Sequence, residues 1–221
     1  MNSLLRFSNI YLQYQNGTLL TEVIRGIDFT IHQNEKLAIV GKSGSGKTSL
    51  LMLMAGLEKP TSGQIIYLDQ DITSYNEDQL TEYRKKNIGI VFQSFYLIPN
   101  YTALENVAIS LEINFQKDAL SQAKEMLIDL GLKDRVNHFP SQLSGGEQQR
   151  VAIARAMIKK PELILADEPT GNLDDENTEV ITELIFNIAS KYQKSLCLVT
   201  HDVDLAKRCD RIMTIENGTV V

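Results

Sequence analysis

The chain has 221 residues, 43% hydrophobic and 23% charged, enough for one globular domain with a substantial core. Its net charge of −6, from 22 basic and 28 acidic residues, argues against nucleic acid as a partner. The two cysteines, Cys197 and Cys209, have neither metal-site nor redox spacing and read as inert thiols in a reducing, cytosolic setting.

The first ten residues carry a single late charge, Arg6, and no long apolar region follows, so no secretory signal is visible. The longest apolar stretch, Leu50 to Leu57, is far short of the ~20 residues a spanning helix needs. A route through a membrane would have to come from another polypeptide. Leu4 to Tyr14 and Ile27 to Ile31 read as strands of an antiparallel layer, with a turn signal at Asn16-Gly17. Lys36 to Val40 is a short apolar run that ends at a glycine loop, so it reads as a buried strand. Thr48 to Leu57 reads as the helix that follows. Pro60 to Gly63 is a turn and Gln64 to Leu68 a further strand.

From Glu77 to Ala156 the pattern is mainly helical. Thr102 and Glu105 have capping-box spacing before an apolar helix, and Gly131 reads as the stop of a helix from about Asp118. Strands return at Leu163 to Ala166, Leu196 to Thr200 and Arg211 to Ile215, the first two separated by a helix from about Glu176 to Lys191. Strands alternating with helices predict an α/β fold around a parallel sheet. The chain reads as a single domain, 1–221. Residues 1–76 and 157–221 form the catalytic core with the antiparallel layer, and 77–156 form an inserted helical subdomain.

Three motifs carry chemistry. Gly41-Lys42-Ser43-Gly44-Ser45-Gly46-Lys47-Thr48 is a complete phosphate loop between a strand and a helix. Its amides are expected around a β-phosphate, with Lys47 on the β- and γ-oxygens and the Thr48 hydroxyl on Mg²⁺. A second glycine motif lies far downstream, Leu143-Ser144-Gly145-Gly146-Glu147-Gln148-Gln149-Arg150. Ser144 and Glu147 form a capping box there, and the glycine pair leaves helix-terminal amides bare, a second anion site. Two phosphate cradles in one chain suggest two copies with nucleotide between them. The strand Leu163 to Ala166 then ends in Asp167-Glu168, a costly pair of acids at a buried strand end unless they serve a cation or catalysis.

With these motifs in this order, the chain resembles the ATP-binding cassette (ABC) ATPases from end to end. The resemblance implies a nucleotide-binding domain of that type, with a phosphate-loop parallel sheet core, an antiparallel β layer and an inserted helical subdomain. It makes Asp167 the Walker B aspartate that holds Mg²⁺ and Glu168 the catalytic glutamate that polarises the attacking water. Gln93, in Val91-Phe92-Gln93-Ser94, becomes a contact of Mg²⁺ and water. His201, after the strand ending at Thr200, becomes the switch histidine on the γ-phosphate. Gly171-Asn172-Leu173-Asp174 resembles the D-loop, so Asp174 joins the nucleotide site, as do Ser144, Gly145, Gly146 and Glu147. Tyr14 stands where the family stacks adenine on an aromatic, with Tyr11 as the alternative; His32 and His138 have no such context. Thr48 stands where serine is commoner, and Asn34-Glu35 where Gly-Glu is usual; neither departure touches catalysis.

The implied cofactors are ATP and Mg²⁺, and the implied reaction is ATP hydrolysis coupled to transport. The implied assembly is a homodimer formed on ATP binding that drives integral membrane permease subunits. These would hold it, otherwise cytoplasmic, on the inner face of the cell membrane. The segment Phe92 to Pro99, followed by Ala103-Leu104-Glu105-Asn106-Val107, is similar to stand-alone ATPases of lipoprotein-release and macrolide-export systems. Phe95, Tyr96 and Leu97 are then candidates for the groove that receives a permease. An importer ATPase is the rival within transport. A soluble ABC ATPase of DNA repair or translation is the rival outside it, disfavoured by the single uninterrupted cassette. A scaffold without turnover is disfavoured by Glu168 together with His201.

Overall fold

A computed structural model gives the protein's structure over residues 2–17 and 19–221. Two long strands, β1 (Ser3–Asn16) and β2 (Leu19–His32), pair antiparallel, with Asn16 opposite Leu19 and Gly17 in the turn at φ 61°. The second strand begins well before Ile27, because hydrogen bonding to β1 carries the polar stretch from Thr21 to Glu22 into the ladder. β4 (Ser62–Tyr67) pairs with the other edge of β1, and β5 (Gln70–Asp71) follows it, giving the order β2-β1-β4-β5.

The second sheet has the order β10-β9-β3-β8-β7-β6. Here β3 is Lys36–Val40, β6 Ile88–Phe92, β7 Leu163–Asp167, β8 Ser195–Val199, β9 Arg211–Glu216 and β10 Thr219–Val220. All neighbours are parallel except β9 and β10. Helices cover it: α1 (Lys47–Met54), α2 (Glu77–Asn87), α3 (Ala103–Glu112), α4 (Ala119–Asp129), α5 (Gly145–Met157), α6 (Asp175–Lys191) and the short α7 (Val203–Ala206).

The sheet is buried on both faces, as its continuous apolar strands require. Alternate residues enter two cores. Leu37, Ile39, Leu163, Leu165, Cys197 and Val199 pack with α1 and the antiparallel sheet. Ile164, Ala166, Leu196 and Leu198 pack with α3, α4, α5 and α6. The fold is the expected one: a phosphate-loop parallel core, an antiparallel layer and a helical layer inserted between β6 and β7. Both capping boxes form. Glu105 N–H donates to Thr102 Oγ1 at 3.2 Å and Thr102 N–H to Glu105 Oε2 at 2.7 Å. Gly131 stops α4 with φ 74°.

The stretch 77–156, expected to be mainly helical, also holds β6, an edge strand of the parallel sheet beside β7. A five-residue apolar run has no periodicity that separates strand from helix; pairing with β7 decides it. The strand ends at Phe92 and so delivers Gln93 next to Asp167, the residue opposite Phe92 in the register.

Candidate functional site

Strand β3 runs into the glycine loop and α1 leaves it. Gly46 caps α1 at φ 102°, a left-handed conformation in which an added Cβ would lie 2.9 Å from Ile24 Cδ1. The cap supplies no side chain, so the first amides of α1 stay available to an anion. Lys47 is only 9% exposed, and its Nζ donates to the carbonyls of Gly41 at 2.9 Å and Lys42 at 3.0 Å. The ammonium is thus folded back over the loop that it serves.

A cleft of about 440 Å³ opens above this loop. Ser43, Gly44, Gly46, Lys47, Thr48, Gln93, Asp167, Glu168 and His201 line it. Four chain segments therefore converge at the C-terminal ends of neighbouring parallel strands, where an open α/β sheet places its ligand. Thr48 Oγ1 donates to Asp167 Oδ2 at 3.1 Å. Burial raises the Asp167 pKa, partly offset by the Thr48 hydrogen bond, while the Glu168 charge raises it further. A half-buried carboxylate beside a hydroxyl is a hard oxygen donor set of the kind Mg²⁺ takes together with substrate phosphates.

Glu168 leaves β7 in a left-handed conformation, φ 45°, a strained choice for a residue with a side chain. Its amide donates to Val199 O at 2.9 Å and its carbonyl accepts from Gly171 N–H at 3.0 Å, which holds the strain in place. His201 Nδ1 donates to Glu168 Oε2 at 2.9 Å, with the imidazole largely exposed and the carboxylate mostly covered. Gln93 faces the same cleft and exchanges two bonds with Asn172. Gln93 Nε2 donates to Asn172 Oδ1 at 3.2 Å, and Asn172 Nδ2 to the Gln93 carbonyl at 3.1 Å.

The second glycine motif lies outside this cleft. Ser144 caps α5: Glu147 N–H donates to Ser144 Oγ at 3.2 Å and Ser144 N–H to Glu147 Oε2 at 2.8 Å. Arg135 Nε donates to the other Glu147 oxygen at 2.8 Å. Gly146 is packed against α6, where a Cβ would meet Asn177 Oδ1 at 2.2 Å, whereas Gly145 has ordinary room, 3.4 Å to Leu173 Cδ2. Asp174 acts locally as the cap of α6, accepting from Asn177 N–H at 2.8 Å, and this lowers its pKa. Tyr14 lies near the end of β1, exposed, with its hydroxyl donating to Glu58 Oε2 at 3.2 Å. Burial and the Glu58 charge raise its pKa, and the neighbouring Ser49 hydroxyl, on the rim of the cleft, lowers it.

Sequence reading did not single out Gln149 and Asn106. Gln149 is fully buried, and its Nε2 donates to Pro169 O at 2.7 Å, tying α5 to the loop after Glu168. Asn106, also fully buried, accepts from Ile98 N–H at 2.7 Å and donates to the carbonyls of Ile98, Tyr101 and Thr102. A signal existed for each. Gln149 falls between Gly145 and Ile153 on the inward face of α5, and Asn106 beside Ala103 and Val107 on that of α3. A polar group on a core face needs a partner.

The ABC transporter family model matches residues 24–171. The chain is 44% identical over 219 residues to the lipoprotein-releasing system ATP-binding protein LolD of Idiomarina loihiensis, covering 98% of this chain and 96% of that protein. It is 45% identical over 217 residues to the LolD protein of Hydrogenovibrio crunogenus, covering 97% and 94%. Among solved structures, the ATP-binding cassette MJ0796, as a dimer in a post-hydrolysis state bound to ADP and Pi, superposes with a TM-score of 0.91. That likeness holds at 36% identity over 98% of this chain and 96% of that one. A second dimeric structure of the same cassette gives a TM-score of 0.91 at 37% identity, with the same coverage.

Proposed function

The chain belongs to the ABC transporter family as an ATP-binding, ATP-hydrolysing subunit, and from that premise we propose that two copies close around two ATP molecules and drive separate permease subunits in lipoprotein release. The single observation that carries the hydrolytic part is the convergence of Lys47, Thr48, Gln93, Asp167, Glu168 and His201 on one cleft. Lys47 and the loop amides hold the phosphates. Thr48, Asp167 and Gln93 would hold Mg²⁺, which would supply charge neutralisation on the phosphate oxygens when bound. Glu168 accepts a proton from the attacking water, oriented by the His201 ring that donates to it. Tyr14 stacks on adenine.

The placement of Ser144, Gly145, Gly146 and Glu147 on a separate surface supports the dimer. Gly145 and Gly146 serve the nucleotide held by the partner copy's phosphate loop, and Asp174 lies along the joint. We place the start of the inserted helical subdomain after β6, since α2 and β6 pack with the catalytic core. The lipoprotein assignment rests on the LolD relatives. No helix among the described residues is long and apolar enough to cross a membrane. On the likeness to the LolD ATP-binding proteins we place the chain on the cytoplasmic, inner face of the membrane, held there by its permease.

The test is reconstitution with the permease subunits in vesicles that carry an acylated lipoprotein. ATP-dependent loss of the lipoprotein from the vesicles is the expected result. Hydrolysis stimulated by a small transported solute, with the lipoprotein retained, would replace this reading by that of an importer.

Lys47→Ala is expected to weaken ATP binding by about 10- to 100-fold, because a charge-assisted bond to phosphate contributes about 1.5–3 kcal/mol. Titration calorimetry measures this, and unchanged affinity would remove the loop from the phosphate site.

The permease surface gives a further prediction. Tyr96 is 65% exposed, with its ring edge-on to Phe92 at 5.1 Å. Leu97 is instead partly buried against the helical core, so packing accounts for it. A cleft of about 320 Å³, lined by Ile88, Ile90, Ile113, Lys85 and Lys159, opens close by. Tyr96→Asp is expected to lower permease recovery in a pull-down by about 10-fold, by placing a charge in an apolar contact. Aspartate tolerates the left-handed backbone at this position, and no phosphate ligand is removed, so ATPase activity without permease should persist. Wild-type recovery would move the coupling surface elsewhere.

A further inference from the structure

The chain directly after Gln93 is strained. Phe95 and Tyr96 are consecutive left-handed residues, φ 58° and 47°, and neither is glycine or asparagine. Tyr96 N–H donates to Ser94 O across a three-residue turn, the strained hand of that turn. Such backbone persists only when its surroundings over-determine it. Two donors from one side chain supply that constraint. Arg155 Nη2 donates to Phe95 O at 2.7 Å and Arg155 Nη1 to Tyr96 O at 2.5 Å. Burial lowers the pKa of this guanidinium, and among the described residues its side chain pairs with these two carbonyls and with no carboxylate. A half-buried cation spent wholly on backbone carbonyls is unusual, and only a guanidinium offers two parallel donors in a rigid fork.

Arg155 sits on α5, ten residues and about 15 Å beyond Gly145. It lies one turn beyond the buried Val151 and Ala152, itself half-buried, and its own carbonyl accepts from Ser110 Oγ of α3 at 3.2 Å. The same helix presents the glycine pair at its N-terminus and reaches the loop after Glu168 through Gln149. Gln93 is therefore gripped on two sides, by Asn172 at its own carbonyl and by Arg155 two and three residues on.

We propose that Arg155 is a positioning residue for hydrolysis: it clamps the turn at Phe95 and Tyr96, so that any shift of α5 at the glycine motif moves Gln93 in the cleft. This rests on the reading of Gln93 as a contact of the reacting nucleotide. Arg155 touches neither nucleotide nor metal and acts through the backbone.

The experiment is a double-mutant cycle on the full chain. Arg155→Lys keeps the charge and the stem but cannot hold two carbonyls. It should lower kcat about 10-fold, the scale of a small misplacement, with KM for ATP and the thermal midpoint near those of the wild-type protein. Gln93→Ala alone should also slow kcat, and Arg155→Lys added to it should cost little more, because both changes act at one point. Arg155→Met, which keeps the volume, should reproduce the lysine variant, and Arg155→Ala should regain activity with added guanidinium but not with ammonium. Full additivity in the double variant, or wild-type kcat in Arg155→Lys, would overturn the clamp. Loss of the folded circular-dichroism signal in both the lysine and methionine variants would overturn it in favour of a purely structural arginine. Wild-type kcat in Gln93→Ala would sink the Gln93 reading itself and the clamp with it, an outcome distinct from the others because the single Gln93 variant reports it.

Discussion

Glu168→Gln is expected to bind ATP with near-native affinity and to hydrolyse it about 100-fold or more slowly, the range assigned to a positioned general base. The affinity should survive because, in the proposed site, binding rests on other groups: the loop amides, Lys47, and the Thr48–Asp167 pair. The rate does not, because an amide of the same shape cannot accept a proton from water. The strained backbone at residue 168, φ 45°, is held by Val199 O and Gly171 N–H, neither of which involves the side chain, so the variant keeps the geometry. The substituted amide can still accept from His201 Nδ1 through its oxygen. ATP should then trap a dimer that elutes earlier in size-exclusion chromatography, while single-turnover phosphate release stays near baseline. Turnover close to wild type would take the base assignment away from Glu168.

The second large effect concerns the glycine motif. Gly145→Asp should leave ATP binding to the isolated chain intact and reduce hydrolysis by about 100-fold or more, on the scale of losing one group that stabilises transferred phosphate. The substitution fits the fold: a Cβ at Gly145 makes an ordinary contact with Leu173, and a carboxylate at a helix start is locally favourable. In the proposed dimer its harm should arise only where a second copy's γ-phosphate would meet α5. Gly146→Asp provides the contrast. Its Cβ would collide with Asn177, and the variant should lose thermal stability as well.

Mixed dimers decide whether the site is shared. With Gly145→Asp in one copy and Lys47→Ala in the other, a shared architecture leaves one composite site untouched, and nucleotide trapping should persist. With both changes in the same copy, each composite site carries one defect and trapping should vanish. The opposite pattern would mean that each copy completes its own site.

Local chemistry was legible in the residues. The capping boxes at Thr102 and Ser144 and the stop at Gly131 depend on partners within a few positions, and the phosphate loop between an apolar strand and a helix and the acid pair after Leu163 to Ala166 stand out by contrast with the apolar runs beside them. Nearest-neighbour sterics and short hydrogen bonds write such features directly into sequence. The resemblance to a family then supplied the order of Gln93, His201 and Asp174, which periodicity alone does not distinguish from any amide, imidazole or capping acid at an element end. Asp174 shows the overlap, for it caps α6 while lying in the motif.

Other features were left to the tertiary structure. The strand after α2 was hidden in a stretch that reads as helical, and only its ladder with β7 made it a strand. Gln93 and Asn172 are 79 positions apart, Arg155 and the Phe95 carbonyl 60, and Gln149 and Pro169 20. Leu97 belongs to the helical core and Tyr96 to the surface, although both are apolar neighbours in one segment. A side chain's type shows that it needs a partner, but which partner meets it depends on strand order and helix packing. Those are settled by burying both faces of the parallel sheet at once, a cooperative requirement of the whole chain that no local window contains.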